Sequence, residues 1–257
     1  MSVVHITAKS SHYDKEAENY DRFNEENSKI VNQCIEKILK EFKVKSILDL
    51  SCGTGSQVIW LAKKKFNIIG YDINCKMLEI AKGKAIKEQL DIKFIKGDMR
   101  ASKIGKFDAV ITIFNSIGHL TKEDFIKAIK NIYSNLNDGG LYIFDIFNLN
   151  YLLKDNNITK LTIDWLKRCG DIIVREIQYN TINSDGILAS YDIYHKQKLK
   201  NNPSISHSFQ TLQVYTAKQL KIILEKNGFE LLKQYNISGE SFDENKTERM
   251  LTIARKK

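Results

Sequence analysis

The chain has 257 residues, 42% hydrophobic and 28% charged, with a formal net charge of +9. That is an ordinary globular composition, long enough for one large domain or a domain carrying an insertion. The start, MSVVHITAKSSHYDKEAENY, has no apolar stretch behind a basic end, so no signal peptide is expected, and no apolar run approaches the roughly 20 residues that span a bilayer.

From 25 to 42, Ile30, Val31, Cys34, Ile35, Ile38, Leu39 and Phe42 recur at helical spacing. Short apolar runs follow at 46–50, 67–71, 91–95, 107–114 and 140–147, separated by helix-like stretches at 56–65, 75–89 and 121–136. Thr121 with Asp124 forms a capping pair for the last helix. Short buried strands alternating with amphipathic helices predict right-handed βαβ units and a parallel sheet. The rhythm changes after Phe147. Residues 158–215 hold four β-rich stretches, and Asn183-Ser184-Asp185-Gly186 is a hairpin turn signal. This block predicts an inserted antiparallel subdomain, a candidate lid. Helical spacing returns at 216–227, with strands at 229–236 and 248–255.

The cysteines Cys34, Cys52, Cys75 and Cys169 contain no CxxC pair, which argues against a zinc site or disulfide framework and for reduced thiols in a cytoplasm. No metal is expected. The lysines are spread through every segment, so nucleic acid is not the expected partner despite the net charge.

The run ILDLSCGTGSQ at 47–57 passes from a buried strand to a helix through Gly53 and Gly55. Glycine permits close backbone approach there. Two details argue against a dinucleotide. Val58 stands where the third glycine of G-x-G-x-x-G belongs, and Asp49 would repel a pyrophosphate. A methionine-derived ammonium would instead be attracted by Asp49. Asp72, about 20 residues beyond the glycines, is placed to accept from ribose hydroxyls. Asp98 can accept from an adenine amino group while the Met99 backbone N–H donates to a ring nitrogen.

The ordered set ILDLSCGTGSQ, IIGYDIN, KGDMR, FDAVITIFNSIGHL and LNDGGLYIFDIF resembles the class I S-adenosylmethionine-dependent methyltransferases over residues 45–147. The tail, VYTAKQLKIILEKNGFELLKQY then RMLTIARK, is similar to the family's last helix and closing hairpin. GDMR, FNSIGHL and the β-rich insertion resemble bacterial small-molecule members, notably amino-sugar N,N-dimethyltransferases. Ser51-Cys52 departs from the commoner Gly- or Ala-containing loop.

The resemblance implies a doubly wound, mostly parallel, Rossmann-like α/β sheet of seven strands with an inserted antiparallel subdomain. The expected layout is an N-terminal helical cap over 1–44, a cofactor-binding core over 45–150, the inserted lid or substrate subdomain over 151–215, and the C-terminal helix and hairpin over 216–257. It implies S-adenosylmethionine as cofactor, contacted by Tyr13, Asp49, Ser51, Gly53, Gly55, Asp72, Ile73, Met77, Asp98, Met99, Phe114 and Asn115. Candidate catalytic residues are His119, able to take a proton at its ordinary pKa near 6.5, and Tyr20. Tyr20, His119 and Arg249 are the candidate substrate contacts. On a helix Tyr13 and Tyr20 would share one face, so packing is the alternative for that pair. The expected acceptor is a small molecule, most plausibly an amine nitrogen. An RNA or protein methyltransferase and a non-catalytic cofactor-binding module are the alternatives. The Asn/Asp-Pro-Pro-Tyr signature of nucleic-acid and glutamine N-methylation is missing: the single proline, Pro203, lies in the insertion. Oligomeric state is open.

Overall fold

Alternating apolar residues on short strands feed two separate cores. Strand β1 (Ser46–Asp49) sends Ile47 one way and Leu48 the other, and β4 (Phe107–Thr112) divides Ala109 and Ile111 from Val110 in the same manner. One core lies under helices α1 (Tyr20–Glu41), α2 (Ser56–Lys63) and α3 (Cys75–Lys87), through Val31, Ile35, Leu39, Val58, Leu61 and Leu78. The other lies under α4 (Lys122–Asn135) and α6 (Ala217–Lys226), through Phe125, Ile129, Ile132, Leu220 and Leu224. The computed structural model describes residues 3–14, 17, 18, 20–101, 103–198 and 201–257.

The remaining strands of the main sheet are β2 (Asn67–Asp72), β3 (Lys93–Lys96), β5 (Leu136–Phe147), β10 (Phe229–Tyr235) and β11 (Arg249–Lys256). Their order is β3-β2-β1-β4-β5-β11-β10. The first five run parallel, and β11 is antiparallel to both neighbours. The expected seven-stranded α/β sheet is therefore present. Its order reverses between β1 and β4, where open α/β sheets place their binding crevice beyond the strand carboxyl ends.

Capping fixes where the helices begin. The Thr121 hydroxyl accepts from the Asp124 N–H at 3.2 Å to open α4, as its sequence predicts. Thr216 and Gln219 make a reciprocal capping box on α6.

The insertion is a separate sheet of β6 (Ile163–Cys169), β7 (Ile172–Ile182), β8 (Ile187–Lys198) and β9 (Ser204–Gln213), paired in sequence order. The Asn183–Gly186 segment makes the expected turn, with the Gly186 N–H donating to Asn183 O at 3.0 Å. The first β-rich stretch begins later than its sequence suggests. A short helix, α5 (Leu149–Leu153), and a 3-10 segment (Lys154–Leu161) precede it, kinked where Asp155 and Asn156 take positive φ. Leu149, Leu152, Leu188 and Val214 form the small core that seats the insertion.

Cys34, Cys52 and Cys75 are free thiols; the Cys169 side chain lies outside those described. Among the described residues, no helix is long and apolar enough to cross a membrane.

Candidate active site

Three adjacent strands end in carboxylates at the crevice. Beyond β1 the chain turns through Gly53 and Gly55, with φ of 50° and 83°. A Cβ at Gly53 would meet nothing within 4 Å, so the loop leaves room on its cleft side; one at Gly55 would come 3.0 Å from Ala81 on α3. Asp72, at the end of β2, pins this loop: its carboxylate accepts the Gly53 N–H and the Asn74 N–H, each at 2.8 Å. Burial raises its pKa.

Asp49 is 1% exposed. One oxygen accepts the Ser51 N–H at 3.1 Å, and the other, Oδ2, has no hydrogen-bond partner. Burial, with the nearby Asp72 charge, pushes its pKa up to about 8. A buried carboxyl group with an unused oxygen suits a cation, because an arriving ammonium would restore its ionised form. Beyond β3, both oxygens of Asp98 accept from the Arg100 guanidinium. Arg100 also bonds Asp124 on α4, and these charge-assisted bonds hold Asp98 below the usual carboxylate range.

The opposite wall is built by the N-terminal segment, which crosses the crevice as a strap. At one side the Ala8 N–H donates to His119 O, the Thr7 hydroxyl bonds Asp124, and His5 bridges Leu120 O and the Thr211 hydroxyl. At the other side Asn74 donates to Ser10 O and Asp14, while its own carbonyl caps α3 through the Met77 N–H. The strap thus spans from the α3 cap to the loop after β4. It carries His12 and Tyr13 over the cleft, where Tyr13 OH lies 2.7 Å from His119 Nε2. The rings of Tyr13, Tyr20, His12 and His119 form a cluster with centroids 4.7–5.5 Å apart, edge-to-face except for the tilted His12–His119 pair. His119 Nδ1 is buried without a partner.

Burial, with His12 and His5 nearby, lowers the His119 pKa to about 3. The expectation that this imidazole takes a proton at its ordinary pKa is therefore corrected: it stays neutral across physiological pH and is a weak base. Tyr20 is pushed the other way, up to about 12, chiefly by burial. Its phenol remains protonated at neutral pH.

His119 sits on a loop that starts under strain. Phe114 and Asn115, directly after β4, both take the left-handed conformation, with φ of 63° and 56°. A bulky residue there costs on the order of 1–3 kcal/mol. The Asp145 carboxylate of β5 secures the turn, accepting the Phe114 N–H at 2.6 Å and the Asn115 N–H at 3.4 Å. The Asn115 side chain in turn accepts the Phe147 N–H at 2.9 Å.

A family model described as a methyltransferase domain matches residues 19–234. The chain belongs to that family. This methyltransferase is 32% identical over 147 residues to a glycine/sarcosine N-methyltransferase of Aphanothece halophytica, a match that covers 56% of the chain and 54% of that relative. Across the first three curated relatives the matched stretch spans 72%, 41% and 54% of their length. Among solved structures, an S-adenosylmethionine-dependent methyltransferase from Clostridium acetobutylicum ATCC 824 superposes with a TM-score of 0.77 at 22% identity, covering 95% of this chain and 98% of that one. A sugar N-methyltransferase from Streptoalloteichus sp ATCC 53650 superposes with a TM-score of 0.76 at 16% identity, covering 100% and 97%. At these identities the likeness is one of fold.

The methyltransferase cleft runs between these two walls. It is lined by Tyr13, Tyr20, Ser51, Gly53, Asp72, Ile73, Met77, Asp98, Met99, Phe114 and His119, all named from the sequence. Four other expected residues stand behind the lining. Asp49 is buried beneath it, and Gly55 caps α2. Asn115 braces β5, and Arg249 is committed to Asp145, its guanidinium 5.4 Å from the Phe114 ring. Tyr13 and Tyr20 do meet, with centroids 5.5 Å apart, but Tyr13 lies in a turn ahead of α1 and shares no helix face with Tyr20. Among the described residues, none lining the cleft comes from the inserted sheet, the expected lid; its Gln210 and Thr211 touch the strap instead.

Sequence reasoning missed the strap residues Thr7, Ala8, Lys9, Ser10 and His12, together with Asn74 and Arg100. Arg100 closes the quoted KGDMR motif and His12 abuts Tyr13, so both were within reach. The others have no periodicity to betray them.

Proposed function

We propose that the protein methylates a small-molecule amine from S-adenosylmethionine by in-line displacement. The observation that carries this reading is the pairing, across one cleft, of a carboxylate row with a neutral aromatic–imidazole cluster. Asp49, with its unused oxygen, suits the ammonium end of the cofactor; Asp72 suits its ribose and Asp98 its adenine. When bound, S-adenosylmethionine supplies an electrophilic methyl carbon. This chain's own task is then to aim a nucleophile and exclude water.

The Tyr13, Tyr20, His12 and His119 rings form the wall on which an amine would settle, since aromatic faces favour cationic and polarised N–H groups. His119 is too weak a base to strip an ammonium of pKa near 10. Such an acceptor loses its proton to solvent at a cost of about 4 kcal/mol at pH 7. His119 then orients the neutral amine through a hydrogen bond while Tyr13 fixes the imidazole. Positioning, worth roughly 7–11 kcal/mol, outweighs that cost. The likeness to a glycine/sarcosine N-methyltransferase supports nitrogen as the acceptor atom.

The test is incubation with labelled S-adenosylmethionine and a panel of amino acids, aliphatic amines and amino sugars, read by mass spectrometry. Methylated amine with stoichiometric S-adenosylhomocysteine is expected. Binding of S-adenosylhomocysteine with no product from any amine, but with product from an RNA or protein fraction, overturns the reading.

A further inference from the structure

We propose that the buried Asp145–Arg249 pair is a positioning device that holds the strained Phe114–Asn115 turn, and through it His119, in place for methyl transfer. The inference rests on the methyltransferase reading above and assigns Arg249 a role away from the acceptor. Asp145 is fully buried on β5, and the Arg249 side chain at the start of β11 is 10% exposed. Arg249 Nε donates to Asp145 Oδ2 at 3.1 Å, and a terminal nitrogen bonds the same oxygen. The other oxygen is left for the Phe114 N–H at 2.6 Å.

One carboxylate therefore faces two ways, towards the guanidinium and towards the backbone of the turn. Without the guanidinium, Asp145 would be a buried charge with no cation beside it, and the turn would lose the group that backs it. The guanidinium also lies 5.4 Å and 5.9 Å from the Phe114 and Phe147 rings, so it clamps the turn from behind. From Asn115 the constraint passes straight to the catalytic loop. The Gly118 N–H donates to Asn115 O at 2.8 Å, closing the 3-10 turn (Ser116–His119) that aims His119 at Tyr13. The approach is tight: a Cβ on Gly118 would come 3.0 Å from Ile146 and 3.3 Å from Gln213 O. Asp145→Asn could not substitute, because whichever way the amide turned, its NH₂ would face either the guanidinium or the Phe114 N–H.

The experiment compares wild type with Arg249→Met and Arg249→Lys. His119 is observed by NMR of ¹⁵N-histidine-labelled protein, its signals assigned through His119→Gln, alongside calorimetric binding of S-adenosylhomocysteine and kinetics with the best amine acceptor. In Arg249→Met the His119 signals should shift and its titration rise towards the ordinary histidine range. Turnover should fall by about 10-fold, less than on removal of His119 itself, with little change in acceptor KM, as a misplaced group predicts, and S-adenosylhomocysteine affinity should hold within about threefold. Arg249→Lys keeps the charge but not the fork, so it should recover part of that turnover. If Arg249→Met does not fold, Arg249→Lys alone reads the same His119 shift at smaller amplitude. Unchanged His119 signals in either folded variant, or a rise in KM with turnover intact, would overturn the proposal. Should no amine be methylated even by wild type, the NMR arm still decides the pair, separating its failure from that of the proposed function.

Discussion

The two walls of the cleft are built by different means. On the wall proposed for the cofactor, Asp49, Asp72 and Asp98 stand at the carboxyl ends of neighbouring strands, and Asp49 and Asp72 accept backbone N–H groups of the adjoining turns. On the wall proposed for the acceptor, His119 and Tyr13 meet because a non-periodic strap is tied across the crevice by side chains from four separate segments. The first wall is set by the sheet. The second rests on the tethers of the strap, so it is the wall that mutation of those tethers should perturb independently of the fold.

The sharpest break falls on the sheet-built wall. Asp72→Ala removes the acceptor of the Gly53 and Asn74 N–H groups and the carboxylate proposed for the ribose. S-adenosylhomocysteine affinity should fall by about 100-fold or more, read by calorimetry, since bonds to charged groups contribute roughly 1.5–3 kcal/mol each. A drop under threefold would remove Asp72 from the cofactor site. On the strap-built wall, His119→Ala should lower turnover by roughly 30-fold while leaving that affinity nearly unchanged, because orientation and not strong-base catalysis is lost. A loss of cofactor binding instead would merge the two walls into one.

Asp49 gives a pH test with a definite sign. Its folded pKa, about 8, stands above the ordinary 3.8, so the empty protein loses stability as pH rises through that interval. Pairing with an ammonium favours the ionised form, so binding of S-adenosylhomocysteine should release close to one proton at pH 7. Affinity should rise by up to about tenfold per pH unit towards pH 8 and then level. Calorimetry in buffers of different ionisation enthalpy measures the proton count; none released would show that Asp49 is not the cation's partner. The smallest effect belongs to the strap tether. Thr7→Val removes the bond to Asp124 and the acceptor for the Thr121 N–H. It should speed S-adenosylhomocysteine release about two- to fivefold in stopped flow, for a hydrogen bond worth about 1 kcal/mol. An unchanged rate would mean that the strap does not gate the ligand.

The same division explains what the residues revealed in advance. Asp49, Asp72 and Asp98 follow short apolar runs whose period and spacing announce a parallel sheet, so their shared edge was legible. Thr121 and Thr216 mark their helices by chemistry local to one turn. The strap was not legible, because Thr7 and His5 find their partners more than 100 positions away and nothing near them repeats. Stretch 158–167 alternates like a strand, yet the positive φ of Asp155 and Asn156 and the packing on Tyr151 win over that pattern at its start. At Arg249 and His119 the environment, which lies far off in the sequence, sets how each side chain is placed. The bond to Asp145 holds Arg249 behind the cleft lining, and burial beside His12 and His5 lowers the His119 pKa.

Asn74 binds together events that are otherwise distant. Its carbonyl opens α3, its amide holds Ser10 and Asp14, and its backbone N–H rests on Asp72. A ligand that draws on the Asp72 carboxylate must therefore compete with, or reinforce, the anchor of the strap. Occupancy of the site proposed at Asp72 would bear on the strap through this one side chain.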